Sequence, residues 1–296
     1  MGTQHRAAQP VAGLQLVPAL LGLVRFQHTV FALPFAFAGA LLAKMAVPAA
    51  ERLFWILIAM IGARSLAMAL NRLIDAPIDA LNPRTAEREI PAGKLTSMQV
   101  IVFCAVSLAV LLVAVSQLPK ITWVLWPIPV AAFVIYPYTK RFTWACHLFL
   151  GLTIGLAPVG GWIAVTGSLD WGGVLLGLAV ATWIAGFDVI YALLDIDFDR
   201  SNRVHSIPAR FGPERALAIS RGLHALTVAL LVAAGLASGA GALYLIGVGV
   251  VAAILMYEHI IAKPDDQASL QAAFGSANML VSVVFFAAVI VEVTLS

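Results

Sequence analysis

Charge is what this sequence has least of. Only 11% of its 296 residues are Asp, Glu, Lys or Arg, against roughly 25% in an ordinary soluble domain. Cysteine is nearly absent: Cys104 and Cys146 are the only two, each in an apolar stretch. Two isolated cysteines without a CxxC spacing exclude a disulfide scaffold and a thiolate metal centre. No basic run exceeds two residues, so no nucleic-acid partner is expected. Low-complexity tracts, linkers and a separate polar domain are missing too. What is there instead is 61% hydrophobic residues and a mean hydropathy of +0.96. A chain this size cannot hide so much apolar surface in one aqueous core. Composition therefore points to an all-α, polytopic membrane protein, because helices satisfy their own backbone in lipid.

A helix needs about 20 apolar residues to cross the hydrocarbon core. That length predicts nine spans, near 17–45, 52–74, 97–116, 121–138, 146–166, 172–194, 215–237, 241–261 and 274–294. The fourth holds Pro127, Pro129 and Pro137, so its ends are poorly defined by pattern. Residues 1–10 are polar and precede an apolar stretch with no A-x-A cleavage pattern, which predicts a tail and a first span rather than a removable signal. With the N-terminus inside, thirteen of the eighteen Lys and Arg fall on the inner side and three on the outer. The positive-inside rule then puts the N-terminus and two long loops, 75–96 and 195–214, in the cytoplasm. A bacterial inner membrane, with the site facing the cytoplasm, is the expected location.

The scarce charge is concentrated. Residues 71–94 and 188–215 hold 17 of the 33 charged residues. The first stretch begins NRLIDAPID, placing Asn71, Asp75 and Asp79 at i, i+4 and i+8 on one helical face. The second begins DVIYALLDIDFD, with Asp188, Asp195 and Asp199 at i, i+7 and i+11 and Tyr191 on the same face. Asp197 points off that face, and Arg200 beside Asp199 is a candidate surface partner for it. Both clusters sit where a span leaves the membrane on the same side. Asp75 precedes Asp195 by 120 residues, as Asp79 precedes Asp199, which suggests a weak internal repeat of about 17–138 and 146–261 within one domain covering 1–296. Oxygen ligands from facing carboxylates suit Mg²⁺, which usually shares its coordination with substrate phosphates. Arginine and lysine in the following loops suit the remaining diphosphate oxygens. Asp188 lies about two turns inside its span, where a charge costs roughly 2.5–3.5 kcal/mol and marks function by default.

The stretches NRLIDAPIDALNPRTAEREIPAGKL and DVIYALLDIDFDRSNRVHSIPARFG resemble the two motifs of the UbiA superfamily of membrane prenyltransferases, NDxxDxxxD with a basic RTxxRxxPxG loop and DxxYAxxDxxxD. Arg72 stands where many members have Asp. RFQHTVFALPFAF resembles the opening of 4-hydroxybenzoate-type members. The resemblance implies a helical bundle with a central cavity open to the cytoplasmic side. It implies transfer of a polyprenyl group from its diphosphate to an aromatic acid such as 4-hydroxybenzoate, in ubiquinone or menaquinone synthesis, with Mg²⁺. It assigns Asn71, Asp75, Asp79, Asp195 and Asp199 to the metal, and Asp188, Tyr191 and Asp195 to the reacting centre. Arg84, Arg88, Lys94, Lys140, Arg141 and Arg203 become candidates for the diphosphate oxygens.

Arg64, two turns before Asn71 on the same face, is expected to bind the acceptor carboxylate, with Arg25 and His28 as weaker candidates. His147, His224 and His259 lack metal-ligand spacing and are expected to be structural or interfacial. Gly151 and Gly155 form a GxxxG packing face, and Trp123, Trp126, Trp144 and Trp171 read as interface anchors. Two rivals stand beside this reading: another acceptor, a naphthoate-type ring or haem, and an ion-coupled transporter, which would expose charge toward both membrane faces.

Overall fold

The computed structural model describes residues 10–24, 29–264 and 266–295. Arg25 and His28 lie outside the described residues. The described residues are helical and contain no strand. Helices α1 (Leu16–Leu23) and α2 (Thr29–Leu42) occupy the first predicted span. They are followed by α3 (Ala50–Asp79), α4 (Ser97–Ser116), α5 (Lys120–Leu125), α6 (Pro127–Thr139), α7 (Cys146–Thr166) and α8 (Trp171–Ala192). Next come the short α9 (Ile196–Ser201) and α10 (Ile207–Phe211), then α11 (Pro213–Ser238), α12 (Ala242–Ile261), α13 (Gln267–Ala272) and α14 (Asn278–Leu295). Among the described residues, eight segments are long and apolar enough to span a membrane, with α5 and α6 forming one of them and α8 continuing through α9 in another. Pro127 opens α6 at its first turn, where a missing N–H breaks no helical bond, and this divides the fourth span at Trp126.

The long helices alternate in direction. The C-terminal ends of α3, α6, α8 and α12 and the N-terminal ends of α4, α7, α11 and α14 therefore lie on one side. Both acidic clusters are on that side. α8 is the most enclosed span, wedged between α7 and α11, while α2 packs on α7 and α14. The α7–α8 contact depends on glycine. A Cβ at Gly151 would stand 2.1 Å from the Ala181 carbonyl oxygen, and one at Gly155 would stand 2.4 Å from that of Gly177. The expected packing face is thus present. Gly151→Val should lower the Tm of the detergent-solubilised protein, with an overpacking cost of about 1–3 kcal/mol. Gly160→Ala, where an added Cβ meets nothing within 4 Å, should not, and equal Tm values for the two variants would contradict this packing.

A polar knot holds the half of the bundle away from α3. Trp183 Nε1 donates to Asn278 Oδ1 at 2.8 Å, and Asn278 Nδ2 donates to Glu258 Oε1 at 3.0 Å. His224 and His259 contact each other at 3.0 Å. These bonds tie α8, α11, α12 and α14 together, in keeping with the structural role expected for the two histidines. Trp126, read as an interface anchor, sits at the joint between α5 and α6 and also lines the cavity described below.

Candidate active site

The first acidic face forms as its spacing predicts, because α3 runs unbroken to Asp79. Asn71 Nδ2 donates to Asp75 Oδ2 at 2.7 Å, one turn apart. Lys140 Nζ lies 2.7 Å from the same carboxylate oxygen. Asp79 pairs with Arg88 at 2.7 Å, and the Thr85 hydroxyl donates to the Asp79 carbonyl at 3.0 Å, folding the loop back over the helix end. Asp75 and Asp79 are buried.

The second face is built differently from the continuous helix expected. A 3₁₀ turn at Leu193–Asp195 separates α8 from α9. Its tighter winding re-aims Asp195 relative to Asp188 and Tyr191. Asp195 turns toward the first cluster. Arg84 engages both of its carboxylate oxygens in a fork, and Asn82 Nδ2 donates to Oδ1 at 2.9 Å. Arg84 also bonds the Tyr191 hydroxyl, with its guanidinium 4.8 Å from the ring centroid. Burial works against the Arg84 charge, but the bonds to Asp195 and Tyr191 outweigh it and hold the guanidinium more firmly protonated than in water. Asp199 is buried and accepts from the Ser206 hydroxyl at 2.7 Å. It does not pair with Arg200, which donates to the Ala209 carbonyl. Asp197 is exposed, as its position off the face implies.

The corner between α6 and α7 brackets the two clusters. Its Lys140 holds Asp75, and Arg141 donates to the Ile74 carbonyl at 2.6 Å. On the other side, the His205 amide donates to the Lys140 carbonyl at 2.7 Å and the Cys146 thiol donates to the His205 carbonyl at 3.3 Å. Lys140 and Arg141 therefore lie in the cluster, with Lys140 on a carboxylate and Arg141 on backbone. Lys94 and Arg203 are not brought in; both side chains are exposed and bond none of the acids.

Asp188 departs most from expectation through its partner. His147 Nδ1 lies 2.7 Å from Asp188 Oδ2, and the Ile207 amide donates to His147 Nε2 at 3.2 Å. His147, expected to be structural or interfacial, is buried and joins Asp188 to the 205–207 segment, a contact its place in the sequence does not announce. Asn82 and Ser206 were also missed. The Asn-Pro dipeptide at 82–83 is a turn signal that could have drawn attention to Asn82.

Below the acids lies a cavity of about 410 Å³ between α3, α4, α5, α6 and α7. Its walls are mostly apolar, and its charged lining residue is Arg64, with Tyr136 opposite. Tyr136 is one turn before Lys140 on α6 and within electrostatic reach of Arg64, Asp75 and Asp188. It is a further residue that sequence reading passed over. On α3 the lining runs from Met68 to Ile56, about 18 Å at 1.5 Å per residue, reaching Leu118 and Leu169 near the far side. One large apolar chamber thus meets the polar clusters at its Arg64–Tyr136 end.

The donor set fits Mg²⁺. Asp75 Oδ1 is buried and has no hydrogen-bond partner, a carboxylate oxygen left for a cation. Asn71, Asp75, Asp79, Asp195 and Asp199 offer only hard oxygen ligands. Among the described residues no three acidic or histidine side chains converge on one point, so an ion here would complete its shell with water and substrate oxygens, as Mg²⁺ commonly does.

Comparison with known proteins agrees with this architecture. The chain is 34% identical to the mitochondrial 4-hydroxybenzoate polyprenyltransferase of Schizosaccharomyces pombe over 68% of its own length and 57% of that protein's. It is 32% identical to the 4-hydroxybenzoate octaprenyltransferase of Vibrio campbellii, over 67% of this chain and 70% of that one. The apo structure of a UbiA homologue from Aeropyrum pernix superposes with a TM-score of 0.82 at 34% identity, over 90% of this chain and 98% of that one. A UbiA homologue from Archaeoglobus fulgidus, solved bound to GPP and Mg²⁺, shares the fold with a TM-score of 0.64 at 19% identity, over 92% and 99% of the two chains. Residues 32–288 match the UbiA prenyltransferase family, and the chain belongs to that family.

Proposed function

We propose that this protein transfers a polyprenyl group from polyprenyl diphosphate to an aromatic acid of the 4-hydroxybenzoate type, in the synthesis of a quinone. The observation that carries this reading is the joining of two acidic clusters, through Asn82, Arg84 and Asp195, above an apolar cavity whose polar end holds Arg64 and Tyr136. The names of the two curated relatives support the acceptor class, and the bias of Lys and Arg supports a cytoplasmic site.

In this reading, Arg84, Arg88 and Lys140 are cations held ready on carboxylates. They turn to the diphosphate oxygens when the donor enters. Asp75, Asp79 and Asp195 are then released and, with Asn71 and Asp199, would hold Mg²⁺. Bound Mg²⁺ supplies charge neutralisation for the leaving diphosphate. The allylic C–O bond breaks, and its electron pair leaves with the diphosphate. Tyr136 and Tyr191 stand beside the acids, where their ring faces can stabilise positive charge on the allylic carbon. The apolar walls keep water from that carbon. A ring carbon of the acceptor forms the new C–C bond. The ring proton passes to the Asp188 carboxylate, and the C–H electron pair restores the aromatic ring. Arg64 orients the acceptor through its carboxylate.

Arg64→Ala tests the acceptor assignment. A charge-assisted hydrogen bond is worth about 1.5–3 kcal/mol, so KM for 4-hydroxybenzoate should rise about 10- to 150-fold. KM for the prenyl diphosphate should change little, and the preference for 4-hydroxybenzoate over phenol should disappear. A rise confined to the prenyl diphosphate would move Arg64 to the leaving group.

A further inference from the structure

We infer that His147 is the positioning residue for Asp188, and that it links the proton-accepting end of the site to the diphosphate end. This rests on the proposed role of Asp188 as acceptor of the ring proton. The hydrogen bonds fix the tautomer. The Ile207 amide can only donate, so His147 Nε2 must present its lone pair at 3.2 Å. The ring proton is therefore on Nδ1, which donates it to Asp188 Oδ2 at 2.7 Å. A neutral imidazole held this way gives Asp188 one donor and takes no proton from it. Oδ2 is occupied, and the second carboxylate oxygen is left to receive the proton from the acceptor. The imidazole itself is buried, locked at the first turn of α7, so it cannot swing away from Asp188 without losing both bonds.

The amide that sets this tautomer belongs to a segment tied to the other end of the site. Ile207 follows Ser206, whose hydroxyl donates to Asp199 Oδ2 at 2.7 Å. One residue earlier, His205 is bonded to the Lys140 carbonyl, and Lys140 holds Asp75. A continuous path thus runs from Asp199 through Ser206, Ile207 and His147 to Asp188. The residues that hold the leaving group and the residue that takes the proton share one segment, 205–207. Correct seating of that segment aims the base. His147 does not touch the substrates in this account and acts only through Asp188.

The two ring nitrogens have different jobs, and two substitutions separate them. Asparagine places an amide N–H where Nδ1 stands, so His147→Asn keeps the donor to Asp188. Glutamine reaches the Nε2 position instead, so His147→Gln keeps an acceptor for the Ile207 amide but gives Asp188 no donor at Nδ1. Both variants, with His147→Leu and Asp188→Asn, would be purified in detergent and assayed with geranyl diphosphate, Mg²⁺ and 4-hydroxybenzoate. General-base contributions run from about 10² upward. His147→Leu and His147→Gln should lose on the order of 10²-fold in kcat, with KM for geranyl diphosphate changed less than about threefold. His147→Asn should recover most of kcat.

Wild-type kcat in His147→Gln, or equal recovery by Asn and Gln, would overturn the assignment and leave His147 as packing. If His147→Leu does not fold, the Asn and Gln pair still decides. Asp188→Asn separates the two levels of the account. Full activity there would remove Asp188 as the base, and His147 as its positioning residue with it. An inactive Asp188→Asn beside fully active His147→Gln would overturn the His147 inference alone.

Discussion

Asp195→Ala should reduce Mg²⁺-dependent diphosphate release by about 10³-fold or more, while the protein still inserts and folds. Removing a single preorganised electrostatic group from an active site costs about 10²–10³ in kcat, and Asp195 does more than one job here. It anchors both oxygens on Arg84, accepts from Asn82, and is the point where the two clusters meet. Its loss frees Arg84 from a fork and leaves the diphosphate end without one oxygen ligand. The fold should survive because the Arg84 side chain is 32% exposed and water can solvate it, unlike a fully buried charge left unpaired. Asp75→Ala should be equally damaging, since Asp75 carries the orphaned oxygen and the Lys140 contact. Asp197→Ala is the control: its side chain is exposed and outside the cluster, so activity should be unchanged. Substantial diphosphate release by Asp195→Ala, measured with a coupled pyrophosphate assay, would remove the carboxylates from the metal role.

Gly160→Phe should shorten the prenyl chain the protein accepts. Gly160 lies on the cavity stripe of α7 with Thr153, Ala157 and Ala164, and a Cβ there meets nothing within 4 Å. The new ring has room to enter the chamber without disturbing the backbone. Each CH₂ moved from water to an apolar site contributes about 0.8 kcal/mol. Excluding one five-carbon unit from the chamber should therefore lower kcat/KM for a long donor by on the order of 10²-fold or more. The activity with geranyl diphosphate should be largely kept. A competition assay with geranyl and octaprenyl diphosphates, read by product mass, checks this. An unchanged chain-length profile would mean that the tail lies elsewhere in the bundle or in lipid.

The membrane class, the helical bundle and the first acidic face were legible in the sequence, and for a physical reason. A span must be long and apolar, and an unbroken helix converts a spacing of four directly into a shared face. Asn71 and Asp75 therefore bond as their spacing implies. The second face was harder because a 3₁₀ turn interrupts the period between Asp188 and Asp195, and no residue in LLDID announces it. Partner choice was harder still. Lys140 and Arg141, the candidates for diphosphate oxygens, rest on Asp75 and the Ile74 carbonyl, partners that no spacing announces. His147 stands alone in an apolar run, and only the return of residues 205–207 to the head of α7 gives it meaning. Tyr136 on α6 likewise comes within reach of Arg64 from α3 and Asp188 from α8 only in the fold. Periodicity describes one element at a time, and these contacts join elements far apart in the chain.

The transporter alternative predicts charge facing both sides of the membrane. Both acidic clusters gather instead at one end of the bundle, and the cavity beneath them is lined chiefly by apolar residues. Such a chamber suits an apolar chain better than an ion path.

The most direct measurement is a single reaction. The purified protein is incubated with labelled polyprenyl diphosphate and 4-hydroxybenzoate, with Mg²⁺ or with EDTA, and the products are separated and weighed by mass spectrometry. The account predicts a prenylated aromatic acid and one diphosphate per product, both lost in EDTA and restored by added Mg²⁺. Unconsumed prenyl diphosphate in the presence of Mg²⁺, or product formation that EDTA leaves unchanged, would contradict it.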